Sequence, residues 1–197
     1  MIRAKNIQLS FNGKTVIKDL TFEIGNGENV CFSGASGKGK SSLLKMLQGY
    51  ILPDAGSISV KGLELNEKNI ATIRSNMAYI PQNVNLPVNN GIELLELITG
   101  DKPAERVFSI AARLGIPEAM LEQGFDEISG GQKQRIVIAV CLSLDREIIL
   151  LDEPTSSLDD ESIGKLMDVL KGPGERTVVS ASHNHEWIRF ADRSIAL

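Results

Sequence analysis

From Gly34 to Ser42 the chain reads GASGKGKSS, which fits the pattern G-x-x-x-x-G-K-[ST]. The chemistry that this spacing allows is the gripping of phosphate oxygens. Gly34, Gly37 and Gly39 let backbone N–H groups curl inward without Cβ clashes, with Ala35, Ser36 and Lys38 between them. Lys40 is a mobile point charge for the β and γ phosphates, the Ser41 hydroxyl is placed for Mg²⁺, and Ser42 adds a hydroxyl nearby. Lys38 is unusual company for Lys40; it is either solvated or adds positive charge at the phosphates.

A second constellation is IILLDEP, residues 148 to 154, where an apolar strand ends in two adjacent carboxylates. Ligands of α/β sheets sit at such strand ends. Alternation along the strand sends Asp152 and Glu153 to different faces. Asp152 belongs to the Mg²⁺ shell, usually through water, and Glu153 polarises the water that attacks the γ-phosphate. Taken alone the pair reads equally as a solvated acidic turn; beside the phosphate loop the catalytic reading is stronger.

These groups need elements to hold them. Asn29 to Ser33 reads as a short strand entering the Gly-rich loop, and Leu43, Leu44, Met46 and Leu47 as the helix leaving it, closed near Gly49. Before that, short runs broken at Asn12-Gly13, Gly25, Gly27 and Asp54-Ala55-Gly56 predict an antiparallel β layer. After Pro81-Gln82, Ile92 to Ile98 and Pro103 to Leu114 read as helices of an inserted lobe. From Glu147 strands and helices alternate again through EIILLD, a helix with Ile163, Leu166, Met167 and Leu170 on one face, RTVVSAS, a short helix and RSIAL. That order predicts a parallel sheet with crossover helices.

The 197 residues, 42% hydrophobic and 23% charged, suit one folded domain. A net charge of -4 supplies no basic field for a phosphate backbone, which counts against nucleic acid as a partner. No eighteen apolar residues run together and the start carries no leader pattern, so the expectation is a cytoplasmic chain that does not span a membrane. Cys31 and Cys141 sit in apolar stretches and read as buried, reduced thiols.

With the two phosphate motifs placed, ISGGQKQR at residues 128 to 135 resembles the signature motif of ATP-binding cassette subunits. The resemblance covers nearly the whole chain. In family order stand Phe11, the phosphate loop, Gln82 in YIPQN, the signature, LLDEP, Ser157-Leu158-Asp159 and His183 in SASHN. It implies an α/β P-loop NTPase fold, a RecA-like parallel sheet with crossover helices plus the antiparallel β layer and the small helical lobe. One domain is expected, with residues 1–82 and 144–197 as catalytic lobe and 83–143 as helical lobe. ATP and Mg²⁺ are the implied ligands, and hydrolysis of ATP the implied reaction.

The resemblance also assigns roles. Phe11 offers a π face on which adenine stacks, although an aromatic in the core of the β layer is the bland alternative. Ser129, Gly130, Gly131 and Gln132 open a helix whose N-terminus receives an anion. They do so in trans: two copies, or one copy and a paralogue, meet head to tail, so that the signature of one completes the γ-phosphate shell of the other. Gln82 meets Mg²⁺ or the attacking water at the junction facing the membrane partner. His183 contacts the γ-phosphate and holds Glu153 and the water in line, where a lone histidine would more often be structural. Asp159 reaches across the dimer or caps a helix. His185 has no catalytic role, and Trp187 and Phe190 read as core.

Three departures from the family stand out: Ile128 replaces the usual Leu, the helical insert is compact, and the chain ends just after RSIAL. The compact insert points to a stand-alone subunit serving a separate membrane-spanning permease, at the inner face of the membrane. A cassette ATPase powering a non-transport membrane complex, in cell-wall or lipoprotein processing, is the alternative. A soluble cassette protein of translation or DNA maintenance fits less well, because a single cassette without heptad runs matches neither.

Overall fold

The protein is described from a computed structural model, over residues 2–100, 105–171 and 176–197. In chain order the elements are β1 (Ile2–Phe11), β2 (Lys14–Ile24), β3 (Asn29–Ser33), α1 (Lys40–Leu47), β4 (Ala55–Val60), β5 (Leu63–Glu64), α2 (Ile70–Ser75) and β6 (Met77–Ile80). Then come α3 (Gly91–Thr99), α4 (Glu105–Arg113), a 3-10 turn (Glu118–Leu121), α5 (Gly130–Ser143), β7 (Ile148–Asp152), α6 (Asp160–Leu170), β8 (Thr177–Ser182), α7 (His185–Phe190) and β9 (Arg193–Ala196). They fall into two units, one of residues 2–77, 146–153 and 176–197, the other of 78–100, 105–145 and 154–171.

In the first unit, Asn12 and Gly13 take φ of 49° and 77° and close the β1–β2 hairpin, with Phe11 opposite Lys14. Two successive left-handed residues match the twist of the strands, which is why Asn-Gly is favoured here. β4 and β5 extend this antiparallel layer in the order β2-β1-β4-β5. The bend expected over Asp54 to Gly56 is shorter: Ala55 and Gly56 already belong to β4. Gly56 has φ +89°, facing the irregular register of β1, and a Cβ there would lie 2.4 Å from the Lys5 carbonyl oxygen. A backbone so close explains both the glycine and the bulge.

The parallel strands run β7-β8-β3-β9, as the alternating pattern predicts. β7 and β8 are buried along their whole length, β7 with the apolar run IILL and β8 with the small and β-branched residues TVVSAS, as strands covered on both faces are. Phe22 of the antiparallel layer meets Phe32 of β3 edge to face at 5.2 Å between centroids, so the two sheets share a core. α1 buries Leu43, Leu44, Met46 and Leu47 and stops at Gly49, φ +68°, where Gly49 N–H donates to Met46 O and Tyr50 N–H to Lys45 O. This paired closure satisfies carbonyls that the helix end would otherwise orphan. Trp187 is fully buried on α7 and its indole N–H donates to Ser180 Oγ at 3.0 Å.

The second unit is helical, apart from the residues of β6 that follow Met77. α3 runs over the expected span, capped by Asn90, which accepts from Glu93 N–H. α4 carries Val107, Ile110 and Ala111 inward. The expected helix start at Pro103 lies outside the described residues. Gly91 lets Ile136 of α5 approach so closely that a Cβ would meet its Cγ2 at 2.7 Å.

Cys31 and Cys141 are both buried and unpaired. Burial pushes both thiols up, Cys141 to about 12. At pH 8 a thiol of that pKa is ionised to a fraction on the order of 10⁻⁴. Iodoacetamide should therefore leave both cysteines of the folded protein unmodified over times that fully alkylate the unfolded chain, as read by mass spectrometry; rapid modification before unfolding would contradict this burial.

Candidate active site

β3, β7 and β8 end level with one another, Asp152 opposite Ala181 and Ser33 opposite Ser182. The loop from Gly34 to Gly39 leaves that edge and feeds α1. Its last residue is the most constrained. Gly39 has φ +90°, and a Cβ would come 2.6 Å from Val16 Cγ1 and 3.2 Å from Ile17 Cγ1. β2 thus packs directly onto the phosphate loop, a contact that nothing in the sequence marks beyond two β-branched residues after a hairpin turn. Phe11, on the other side of the same hairpin turn, is 44% exposed. The core reading of this aromatic is excluded, and its ring is open to a ligand.

Behind the loop the expected charges converge. Lys40 Nζ donates to Gly34 O at 2.7 Å and Ala35 O at 3.1 Å, and stands 3.5 Å from Glu153 Oε1. Both side chains of that ion pair are nearly buried, 6% and 9% exposed. A charge withdrawn so far from water needs partners, and each supplies one. The Ser41 hydroxyl donates to Asp152 Oδ1 at 2.8 Å. His183 Nδ1 lies 3.1 and 3.0 Å from the two Glu153 oxygens, although its ring is otherwise 68% exposed.

The strand alternation expected of Asp152 and Glu153 does not extend to Glu153. β7 ends at Asp152, and Glu153 turns left-handed at φ 47° while its N–H donates to Ala181 O at 2.8 Å. Both carboxylates meet neighbouring residues of the first turn of α1, Asp152 meeting Ser41 and Glu153 meeting Lys40. A left-handed non-glycine residue costs about 1–3 kcal/mol and persists only where its surroundings fix it. Ala181, Lys40 and His183 do so here.

The residues present fit a magnesium ion. Ser41 Oγ and Asp152 Oδ1 are hard oxygen donors, and their 2.8 Å separation is that of neighbouring ligands on an octahedral ion with bonds of roughly 2.1 Å. One carboxylate and one hydroxyl leave the remaining positions to water and substrate phosphates, as Mg²⁺ sites commonly do.

The second unit carries the other candidates. Gln82 is exposed in the segment after β6. Ser129 caps α5 in a reciprocal box, its Oγ accepting from Gln132 N–H at 3.2 Å while Gln132 Oε1 accepts from Ser129 N–H at 2.8 Å. Ser129 and Gln132 thus satisfy each other, which leaves the Gly130 and Gly131 N–H groups as the helix-end donors without intrahelical partners. A Cβ on Gly131 would sit 2.5 Å from the Ser157 carbonyl oxygen. Asp159 caps α6, accepting from Ser162 N–H at 2.8 Å, and hydrogen bonds from Ser162 hold its carboxyl below the usual range. Its helix-capping reading is therefore realised. Gln134, which the sequence reading passed over, is 2% exposed and its Nε2 donates to Pro154 O at 3.1 Å. Its signal was a polar residue on the apolar stripe it forms with Ile138 and Cys141. Lys38 is exposed in the loop, and the rings of buried Trp187 and half-buried Phe190 meet at 5.5 Å between centroids, tilted by 53°.

A strand, glycine-rich loop and helix, with an acidic strand end two strands away bonded to the loop, define an α/β P-loop nucleotide hydrolase. A family profile described as "ABC transporter" matches residues 17–156. The phosphonates import ATP-binding protein PhnC 1 of Nostoc sp. is 36% identical over 221 residues, covering 100% of this chain and 83% of that protein. The energy-coupling factor transporter ATP-binding protein EcfA1 of Mycoplasma pneumoniae is 32% identical, covering 98% of this chain and 74% of that protein. A dimeric post-hydrolysis structure of the ATP-binding cassette MJ0796 bound to ADP and Pi superposes with a TM-score of 0.88 at 28% identity, covering 100% and 94% of the two chains. The chain belongs to the ABC transporter family, as an ATP-binding subunit that hydrolyses ATP.

Gly39→Ala should weaken ATP binding by about ten-fold, since it adds a left-handed alanine to a clash with Val16. Val16→Ala in the same chain should restore part of the loss, because it removes the clash and not the strain. Calorimetric titration with ATP in the presence of EDTA reads both; equal affinity of Gly39→Ala and native protein would contradict the packing.

Proposed function

We propose that the chain acts as one cassette domain, residues 1–82 and 144–197 forming a catalytic lobe and 83–143 a helical lobe, which dimerises around ATP and drives a separate membrane-spanning permease. The observation that carries the reading is the convergence of Lys40, Ser41, Asp152, Glu153 and His183 at one strand edge. Transport is supported by the relatives, whose names describe import and energy-coupling subunits. Among the described residues no helix is long and apolar enough to cross a membrane, which agrees with a partner supplying the spans. The location that follows is the cytoplasmic face of the membrane, held there by the partner.

In this reading the triphosphate replaces the groups that Lys40 now holds. Its β and γ oxygens take the Nζ protons from the Gly34 and Ala35 carbonyls, and the loop N–H groups of residues 34 to 42 surround the phosphates. Adenine stacks on Phe11. Ser41 and Asp152 would hold Mg²⁺, with Gln82 assigned as a further ligand, and the ion would supply neutralisation of phosphate charge. Glu153, released from Lys40, accepts a proton from the attacking water. A carboxylate only accepts hydrogen bonds, so His183 Nδ1 donates and keeps Glu153 oriented.

One site is completed by a second cassette. The Ser129-Gly130-Gly131-Gln132 helix start is an anion site, and Ser129 and Gln132 are already locked by their mutual cap. We assign it to the γ-phosphate of a partner, which is another copy or a paralogue, with Asp159 at the same interface. The dimeric form of the MJ0796 cassette supports this arrangement. Loss of the γ-phosphate then loosens the pair.

Glu153→Gln should retain ATP binding, lower turnover by about two to four orders of magnitude, and accumulate dimers with ATP and Mg²⁺ in size-exclusion chromatography. Lys40→Ala should instead weaken ATP affinity itself. Native turnover in Glu153→Gln would remove that residue from its role.

A further inference from the structure

Glu153 is held in a strained backbone conformation, and the residue next after it in the chain is a proline. Pro154 has no N–H, so its carbonyl is its one backbone hydrogen-bonding group. That carbonyl accepts from Gln134 Nε2 at 3.1 Å. Gln134 lies two residues past the signature glutamine, on the face of α5 that otherwise carries Ile138 and Cys141, and is 2% exposed. Its Oε1 is buried and takes no hydrogen bond among the described residues. An apolar side chain of the same length would avoid that uncompensated acceptor, so for packing alone the amide is a poor choice. The same stretch is pinned again at Gly131, where only a glycine admits the Ser157 carbonyl.

We infer that Gln134 is a positioning residue for the hydrolysis step: its amide fixes Pro154, and through it the left-handed turn that aims the Glu153 carboxylate. The turn is then held from both sides. Ala181 accepts the Glu153 N–H on one side, and Gln134 donates to the Pro154 carbonyl on the other. The side-chain amide of Gln134 donates to Pro154, so its removal should leave nucleotide binding alone. The inference rests on Glu153 being the general base.

Gln134→Met keeps length and bulk and removes the donor. Turnover should fall about ten- to a hundred-fold, the worth of a small misplacement of a catalytic group, with KM for ATP within about two-fold of native. In a Glu153→Gln background the same change should lower the residual single-turnover rate by less than about two-fold, because the group it aims is gone. A merely structural role predicts otherwise: a lower melting temperature, and equal losses in both backgrounds. Equal losses, or native turnover in Gln134→Met, overturn the inference. Should the Met variant not fold, Gln134→Asn, which is one methylene too short to reach Pro154, carries the same comparison. Native turnover in Glu153→Gln alone would defeat it differently, by removing the base on which it rests, and that result is read before Gln134 is changed.

Discussion

The hydrogen bond from the Ser41 hydroxyl to Asp152 ties the first turn of α1 to the end of β7, a strand two places away from the one that feeds the loop. Such a bond exists only if β3, β8 and β7 are in register at their C-terminal ends, which the pairing of Ser33 with Ser182 and of Asp152 with Ala181 ensures. Everything at the catalytic edge depends on that levelling. It places Lys40 beside Glu153 and Glu153 beside His183, three ionisable groups that no single element could assemble. The buried Lys40 charge is shared among two carbonyls and one carboxylate.

Close backbone approach is the second organising constraint. Gly39, Gly56, Gly91 and Gly131 each sit where a Cβ would collide with a neighbour, at the phosphate loop, the β1 bulge, the start of α3 and the start of α5. At Gly39 the neighbour is Val16, so the layer that presents Phe11 is fastened to the loop that presents Lys40. At Gly131 the neighbour is the Ser157 carbonyl, which joins the signature helix to the segment leading into α6.

Among the described residues Asn6, Asn12, Asp19, Lys61 and Glu153 are left-handed without being glycine, and of these Glu153 lies at the catalytic edge. Glu153 is left-handed and next to a proline, in a stretch where every other feature favours a straight strand. Without the turn, the carboxylate would follow the alternation of β7 and point away from Asp152. The cost is borne by hydrogen bonds to Ala181 and Pro154 and by the polar contacts of the side chain itself.

The sequence by itself determined the element types and most of the site's membership. The period-2 runs, the Asn-Gly hairpin and the alternation after Glu147 are local signals, and each became the element it predicted. The spacing of Gly34 to Ser41 and the acidic end of IILLDEP picked out residues that the fold brings to one strand edge, because their chemistry is written in residue type. What only the tertiary structure decided were relations between distant residues: the left-handed turn at Glu153, the seat of Val16 on Gly39, the exposure of Phe11, and the amide of Gln134 on Pro154. None has a local signature, because each arises where two segments far apart in the chain meet. Packing fixes which backbone must bend and which polar group must find a partner, and a linear pattern carries no record of what will lie opposite.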